Sequence, residues 1–301
     1  MAKIAAKADS TARLSGPEQA AGALSGRPLV DGQGWSVREV LCTAGPKDRP
    51  FEEQHSSPGI AIVTAGTFQY RSSAGRELMT PGSLMLGNSG QFYECSHEHG
   101  IADRCISFSY DAKYFDGLAE EAGACSANFS ALRIPLVRDM STAVARASAA
   151  AMRRAASNYS SGTPHDWQLW EEIAIVLAIQ ALQFKGQTST VASLASEARV
   201  TRIVRMIEGC PTKQHNLVEL AREARLSRYH FIRMFQQLTG LTPHQYVLRT
   251  RLRRAATQML IEPARVLDIA LDCGFGDISN FNHAFLAEFG TSPRSYRTTS
   301  R

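Results

Sequence analysis

The stretch Val266-Leu-Asp-Ile-Ala-Leu-Asp-Cys-Gly-Phe-Gly-Asp277, continuing as Ile278-Ser-Asn-Phe-Asn-His-Ala-Phe-Leu-Ala-Glu-Phe289, decides how this chain is read. Val266 to Cys273 forms a short helix, Gly274 can take the left-handed conformation of its cap, and Phe275 plugs the turn beneath it. Asp277 then offers a capping oxygen to a second helix. Along that helix Phe281, Phe285 and Phe289 recur every four residues and so share one buried side, while Ile278, Ser279, Asn282 and His283 lie on other faces. Two short helices joined by a tight turn make a helix-turn-helix, whose second helix enters the major groove of DNA and meets base edges with its outward side chains.

Toward the N-terminus the same pattern occurs once more. Asn216 caps a helix over 217–224 whose Leu217, Leu220, Ala221 and Ala224 form an apolar face; Arg225-Leu226-Ser227 makes the turn, and Ser227 caps the next helix. That helix, Arg228 to Leu238, buries Phe231, Met234, Phe235 and Leu238, so Arg228, Tyr229, Ile232, Arg233 and Gln236 occupy its other face. Between the two units Pro243 suits the first turn of a long helix ending near Leu260 and carrying Arg249, Arg251, Arg253 and Arg254. Candidate DNA contacts are therefore Arg228, Tyr229, Arg233 and Gln236 on the first reading helix and Ile278, Ser279, Asn282 and His283 on the second.

Charge agrees with that assignment. Residues 199–301 hold 16 Lys+Arg against 8 Asp+Glu, a net +8, whereas residues 1–198 carry −3. All of those cations but Lys213 are arginine, which favours bidentate contact with phosphate or guanine over generic solubility. Nucleic acid is the leading polyanion partner and an anionic membrane surface the alternative.

These residues resemble the AraC/XylS family of bacterial transcription regulators over roughly residues 200 to 300. The second unit keeps Ile269-Ala270, Gly274-Phe275, Asp277, Ser279, Phe281, Phe285, Phe289-Gly290, Ser292-Pro293 and Tyr296-Arg297 at the family's spacings. The first is similar in Leu220-Ala221, Leu226-Ser227, Arg233-Met-Phe235, Gly240, Thr242-Pro243, Tyr246, Arg251 and Ala255. Two departures are His283, where members commonly carry arginine, and Ile278, at a frequently polar position. The resemblance implies two helix-turn-helix units joined by one long helix, contacting successive major-groove faces of promoter DNA. It further implies RNA polymerase and a small-molecule effector as partners, a homodimer, and no cofactor.

Ahead of that domain the pattern changes. Runs 59–64, 67–71, 83–86, 91–99 and 103–110 are short and strand-like, separated by Gly- and Pro-containing turns, which indicates a small antiparallel barrel or sandwich. The region resembles the cupin-like sensing domain of such regulators, with Thr80-Pro81-Gly82 as the turn before an inner strand. Period two on the strand after it places Tyr93, Cys95, His97 and His99 on one face. With His55, these are the candidate effector-binding residues. Two imidazoles and a thiol, completed by His55 or Cys105, have metal-binding chemistry, yet polar pocket lining or a thiol-based sensor fits this spacing better, and no metal is expected.

Residues 139–157 are an Ala-rich helix, and a second helix runs from near Pro164 to Phe184. Its Trp167, Trp170, Ile173, Ala174, Leu177, Ala181 and Phe184 form a wide apolar stripe, expected to pack on its own barrel and also to carry self-association. The chain thus reads as α+β: a flexible tail over 1–30, a cupin-like domain with two helices over 31–185, a linker over 186–198 and an all-α DNA-binding domain over 199–301.

The 301 residues exceed one usual domain, and 44% hydrophobic with 20% charged residues is too apolar for a chain disordered throughout. The longest apolar run, Ile173 to Leu182, is too short to cross a bilayer, and no secretory signal is visible, so a cytoplasmic protein is expected. The six cysteines, Cys42, Cys95, Cys105, Cys125, Cys210 and Cys273, lack CxxC spacing and are expected mostly as small buried residues. A sequence-specific regulator leads over two alternatives, a metal-dependent cupin enzyme with a helical tail and an architectural DNA protein.

Overall fold

A computed structural model of the chain describes residues 24–46, 48, 52–97, 102–156, 164–186 and 193–299. The front part is built from ten antiparallel strands: β1 (Leu24–Asp31), β2 (Trp35–Cys42), β3 (Glu52–Gln54), β4 (Gly59–Ala65), β5 (Phe68–Ser72), β6 (Gly75–Met79), β7 (Leu84–Gly87), β8 (Phe92–Ser96), β9 (Asp103–Tyr110) and β10 (Arg133–Ile134). They form a six-stranded sheet in the order β1-β2-β9-β4-β7-β10 and a four-stranded sheet in the order β3-β8-β5-β6. Strand β4 shows why the apolar runs are continuous. Ile60 and Ile62 face the helices outside the sheet, while Ala61 and Val63 face Phe68, Tyr70 and Met79 inside the barrel, so both faces are dry.

Two boundaries differ from the sequence reading. Leu24–Asp31 is a strand paired with β2, and its Leu29 is buried, so the segment expected as a tail to residue 30 joins the barrel by Leu24. The expected linker over 186–198 is likewise entered by a helix from Leu194, while 187–192 fall outside the described residues. In both places weak local periodicity is overridden by pairing or packing with distant chain. The cysteines also differ: Cys105 and Cys273 are buried, Cys42 and Cys95 half-buried, and Cys125 and Cys210 exposed.

The helices are α1 (Ala112–Glu121), α2 (Arg138–Ala156), α3 (Pro164–Gln183), α4 (Leu194–Gly209), α5 (Leu217–Glu223), α6 (Arg228–Thr239), α7 (Pro243–Ile261), α8 (Val266–Asp272), α9 (Ile278–Phe289) and α10 (Pro293–Thr299). Among the described residues no helix is long and apolar enough to cross a membrane. The α3 stripe is spent inside the chain. Trp170, Ile173, Ala174, Leu177 and Ala181 are buried in one core with Ile60, Ile62 and Phe108, and the Tyr110 hydroxyl donates to the Ala174 carbonyl at 2.8 Å. Self-association through that stripe, expected from its width, is therefore corrected: the stripe has its partner already.

Helix α2 explains its own alanine content. Ala143, Ala147, Ala150 and Ala151 pack into the barrel-side core, while Ala145 and Ala149 on the opposite side join Leu252, Ala255, Ala256 and Met259 of α7. Small side chains on both sides let two layers approach one helix closely. The first helix-turn-helix unit docks separately, with Leu78 of β6 and Leu136 completing the core of Phe231 and Phe235. Polar contacts frame the junction: Arg76 pairs with Glu197 at 2.7 Å, Arg133 donates to the Thr239 carbonyl at 3.1 Å, and Ser141 donates to Glu288 at 2.6 Å.

Ala149→Leu should lower the unfolding free energy by about 1–3 kcal/mol, the usual cost of overpacking a filled site, read from urea unfolding of the full chain. An unchanged midpoint would show that α2 and α7 are not packed at this position.

Candidate nucleic-acid interface and effector chamber

Helices α5, α6 and α9 start where the sequence says they should. Asn216 accepts from the Glu219 amide at 2.8 Å, Ser227 from His230 at 3.3 Å, and Asp277 from Ser279 at 3.0 Å and Asn280 at 3.2 Å. Each cap satisfies an amide that the first helical turn leaves without an internal partner. The turn before α9 depends on Gly274, at φ 88°, where a Cβ would lie 2.7 Å from the Thr212 Cα. In the first unit the corresponding left-handed residue is Arg225, at φ 55°. Behind α9 the rings of Phe275 and Phe281 lie 4.9 Å apart, and those of Phe281 and Phe285 5.5 Å apart.

On α6, Arg228, Tyr229, Arg233 and Gln236 are all exposed, Tyr229 to 71%. The Arg233 guanidinium lies 5.7 Å from the Tyr229 ring centre, a cation–π contact one turn along the helix that holds both side chains outward together. On α9, Ser279, Asn282 and His283 are exposed. Ile278, the remaining expected contact on α9, is half-buried against the Phe281 core.

The arginines of α7 are less available to DNA than their number suggested. Arg249 bonds Glu288 and the Leu136 carbonyl, Arg251 the Pro211 and Lys213 carbonyls, and Arg253 the Pro81 carbonyl at 2.9 Å and both oxygens of Glu208 at 2.9 Å. Glu208 also accepts from Tyr246 and Thr250, each at 3.0 Å. Three of the four arginines thus tie the domains and helices together, and Arg254 alone of the four is exposed.

Inside the barrel a cavity of about 180 Å³ is lined by His55, Tyr93, Cys95 and His97 of the expected set, joined by Cys42 and Asp103. His99 lies outside the described residues. His55 stacks on Tyr93 with ring centres 4.1 Å apart, and its Nε2 lies 2.8 Å from the Tyr70 hydroxyl. Burial lowers the His55 pKa to about 4, so it is neutral at physiological pH. Burial pushes the Cys95 and Cys105 thiols up, which keeps both protonated. His97 behaves oppositely. Burial opposes its charge, but hydrogen bonds to Asp103 (Nδ1 to Oδ2, 2.5 Å) and to Cys42 (Nε2 to Sγ, 3.4 Å) outweigh it and push the imidazole up to about 9. Among the described residues no group of three or more His, Cys, Asp or Glu side chains is arranged to hold a metal ion.

Sequence reasoning missed Cys42 and Asp103 because neither lies near His97 in a recognisable motif. They face each other across the β2–β9 ladder, Cys42 opposite Asp103, and only the register brings them together. A second cavity, of about 410 Å³, lies between the domains and is bordered by Glu39, Arg104, Ser148, Arg253, Arg254 and Thr257. Strands β2 and β9 separate the two spaces. Cys42, Asp103 and Cys105 face the barrel, while Glu39 and Arg104 border the interdomain cavity.

Residues 220–299 match a family described as "Helix-turn-helix domain". The chain is 35% identical over 102 residues to the HTH-type transcriptional activator RhaS of Klebsiella pneumoniae, covering 34% of this chain and 37% of that protein. It is 30% identical over 101 residues to the HTH-type transcriptional regulator MtrA of Neisseria gonorrhoeae, covering 34% of each. The chain therefore spans less than half the length of the curated relatives it matches. Among solved structures it is similar to the DNA-binding domain of AdpA in complex with a target DNA, at 28% identity and a TM-score of 0.33, over 34% of this chain and 93% of that one. The helix-turn-helix read from the sequence for this C-terminal part agrees with the family matched over residues 220–299.

Phe281→Ala should unfold the second unit, since its side chain is fully buried in the ring stack and such truncations cost about 3–5 kcal/mol; thermal melting decides. A stably folded variant with altered base preference would mean that α9 is rotated from the orientation described.

Proposed function

We propose that this chain is a sequence-specific DNA-binding transcription regulator whose barrel takes up a small effector. One observation carries the reading: two capped helices, each the second of a helix-turn-helix, present Arg228, Tyr229, Arg233 and Gln236 on one and Ser279, Asn282 and His283 on the other, in the part of the chain with net charge +8. A long helix between the units suits them to successive major grooves of promoter DNA. RNA polymerase is the partner through which such a regulator acts. A homodimer would use surfaces other than the α3 stripe, and the site of action is the cytoplasm.

The effector reading rests on the barrel chamber. Its wall is a single layer of sheet, whose other side faces α2 and the interdomain cavity. A ligand that shifts β2 or β9 therefore presses directly on the layer carrying the DNA-binding domain. The enzyme alternative has less support, since His55 and His97 are engaged by Tyr70 and by Asp103 and Cys42 rather than converging on a common point.

Selection of duplexes from a random pool by the full chain should enrich a motif with two contacted segments about 10 base pairs apart. Recovery of unenriched sequence would contradict specific recognition. Against the enriched duplex, Arg233→Ala should lose about 1–3 kcal/mol and relax preference at one base pair, as expected for a bidentate guanine contact. Uniform weakening on all duplexes, with a salt slope reduced by about one, would instead assign Arg233 to a phosphate.

A further inference from the structure

The barrel chamber holds an arrangement that neither DNA binding nor reversible effector binding needs. Cys42 Sγ lies 3.4 Å from Nε2 of His97, and Nδ1 of the same ring lies 2.5 Å from Oδ2 of Asp103. All three side chains line the chamber. Asp103 is 2% exposed, and its other carboxylate oxygen sits where a Cβ on Gly66 would come within 1.8 Å, so a glycine there, at φ 86°, makes room for the carboxylate. The order thiol, imidazole, carboxylate is that of an activated nucleophile, with the base oriented by a third group. We propose that Cys42 is a nucleophilic thiol, activated by His97 and Asp103, that adds covalently to a small uncharged α,β-unsaturated carbonyl compound admitted to the barrel.

Asp103 accepts from Nδ1 and holds the ring as an imidazolium, so its Nε2 proton faces the Cys42 sulfur and the pair reacts as thiolate and imidazolium. The sulfur attacks the β-carbon, the carbon–carbon π pair moves to form an enolate, and the proton on Nε2 returns to the α-carbon. The product is a one-to-one thioether adduct that needs no other reactant. The His97 imidazolium that supplies this proton is stabilised by the carboxylate behind it, in line with its raised pKa. The chamber selects by polarity. Val40, Ala61, Phe68 and Met85 give it an apolar lining, and Glu53 with Asp103 disfavours anionic electrophiles. Cys95 and Cys105 share the space, but burial holds them protonated, so the reactive position is Cys42 and not the Cys95 singled out by spacing on β8.

This inference deepens the reading of the barrel as an effector chamber and is tested without DNA. The full chain is treated with acrylamide near neutral pH, and adducts are located by peptide mass spectrometry, with the exposed Cys125 and Cys210 as comparison thiols in the same molecule. Free thiols in water are mostly protonated at that pH, so Cys42 should gain one acrylamide about tenfold faster than either. His97→Gln, checked for folding by its melting temperature, should reduce the Cys42 rate to that of the exposed thiols. Addition at Cys42 no faster than at Cys125 and Cys210 would overturn the proposal even if the variant does not fold, and so would a folded His97→Gln chain that keeps the fast rate. Duplex binding by the untreated chain is read separately, so failed addition leaves the regulator reading standing, and fast addition by a chain that binds no duplex leaves the thiol standing.

Discussion

From Met140 to Ala151 no residue of α2 is fully exposed, and this two-sided burial is the constraint on which the arrangement of both domains depends. One side completes the core under the six-stranded sheet and α3; the other completes the core under α7 and the aromatic stack of the second reading unit. A helix with one apolar stripe serves one partner, and a helix buried on both sides must do so with small side chains or hold its partners apart. The run Ala143, Ala145, Ala147, Ala149, Ala150, Ala151 is that solution. Glu288 adds a polar fixture: it is buried on α9 and held by Ser141 from α2 and Arg249 from α7.

This constraint changes the meaning of the basic charge. Much of the arginine on α7 neutralises Glu208 and Glu288 or binds carbonyls of neighbouring segments, where loss of one partner would leave a buried charge unpaired. Exposed arginine lies mainly on other segments, at Arg202, Arg205, Arg222, Arg225, Arg228, Arg233, Arg265 and Arg294, with Arg254 the exposed one on α7. Among these, Arg233 is held by the Tyr229 ring, which matters because ordering a long side chain on binding costs free energy.

The helix-turn-helix units were legible because their determinants are local. Caps at Asn216, Ser227 and Asp277, the left-handed Gly274 and the four-residue phenylalanine spacing act within a few residues of one another, and the helices over 228–239 and 278–289 follow from them. The long strands with turn residues at both ends, 59–65 and 103–110, were legible for the same reason. Strand β1 was not, since Leu24–Asp31 gains its order from a ladder with β2 and not from its own composition. Of the chamber, the segment of β8 and the residue after it displayed Tyr93, Cys95 and His97 through period two, but Cys42 and Asp103 come from other strands whose register no local pattern encodes. The α3 stripe was visible as apolar, while its partner was not: the width that suggested a second copy of the chain is filled by the barrel and α2.

Amide hydrogen exchange of the free full-length chain tests most directly whether α2 joins the barrel and the reading units into one body. The account predicts that amides in 144–151 of α2 and 252–259 of α7 are protected to the same free energy as those of β4 and β9, and that they are lost together with them as denaturant is added. Exchange of 252–259 through a local opening that leaves the barrel and 144–151 fully protected would contradict it, and would mean that the reading units are tethered to the chamber without being packed against it.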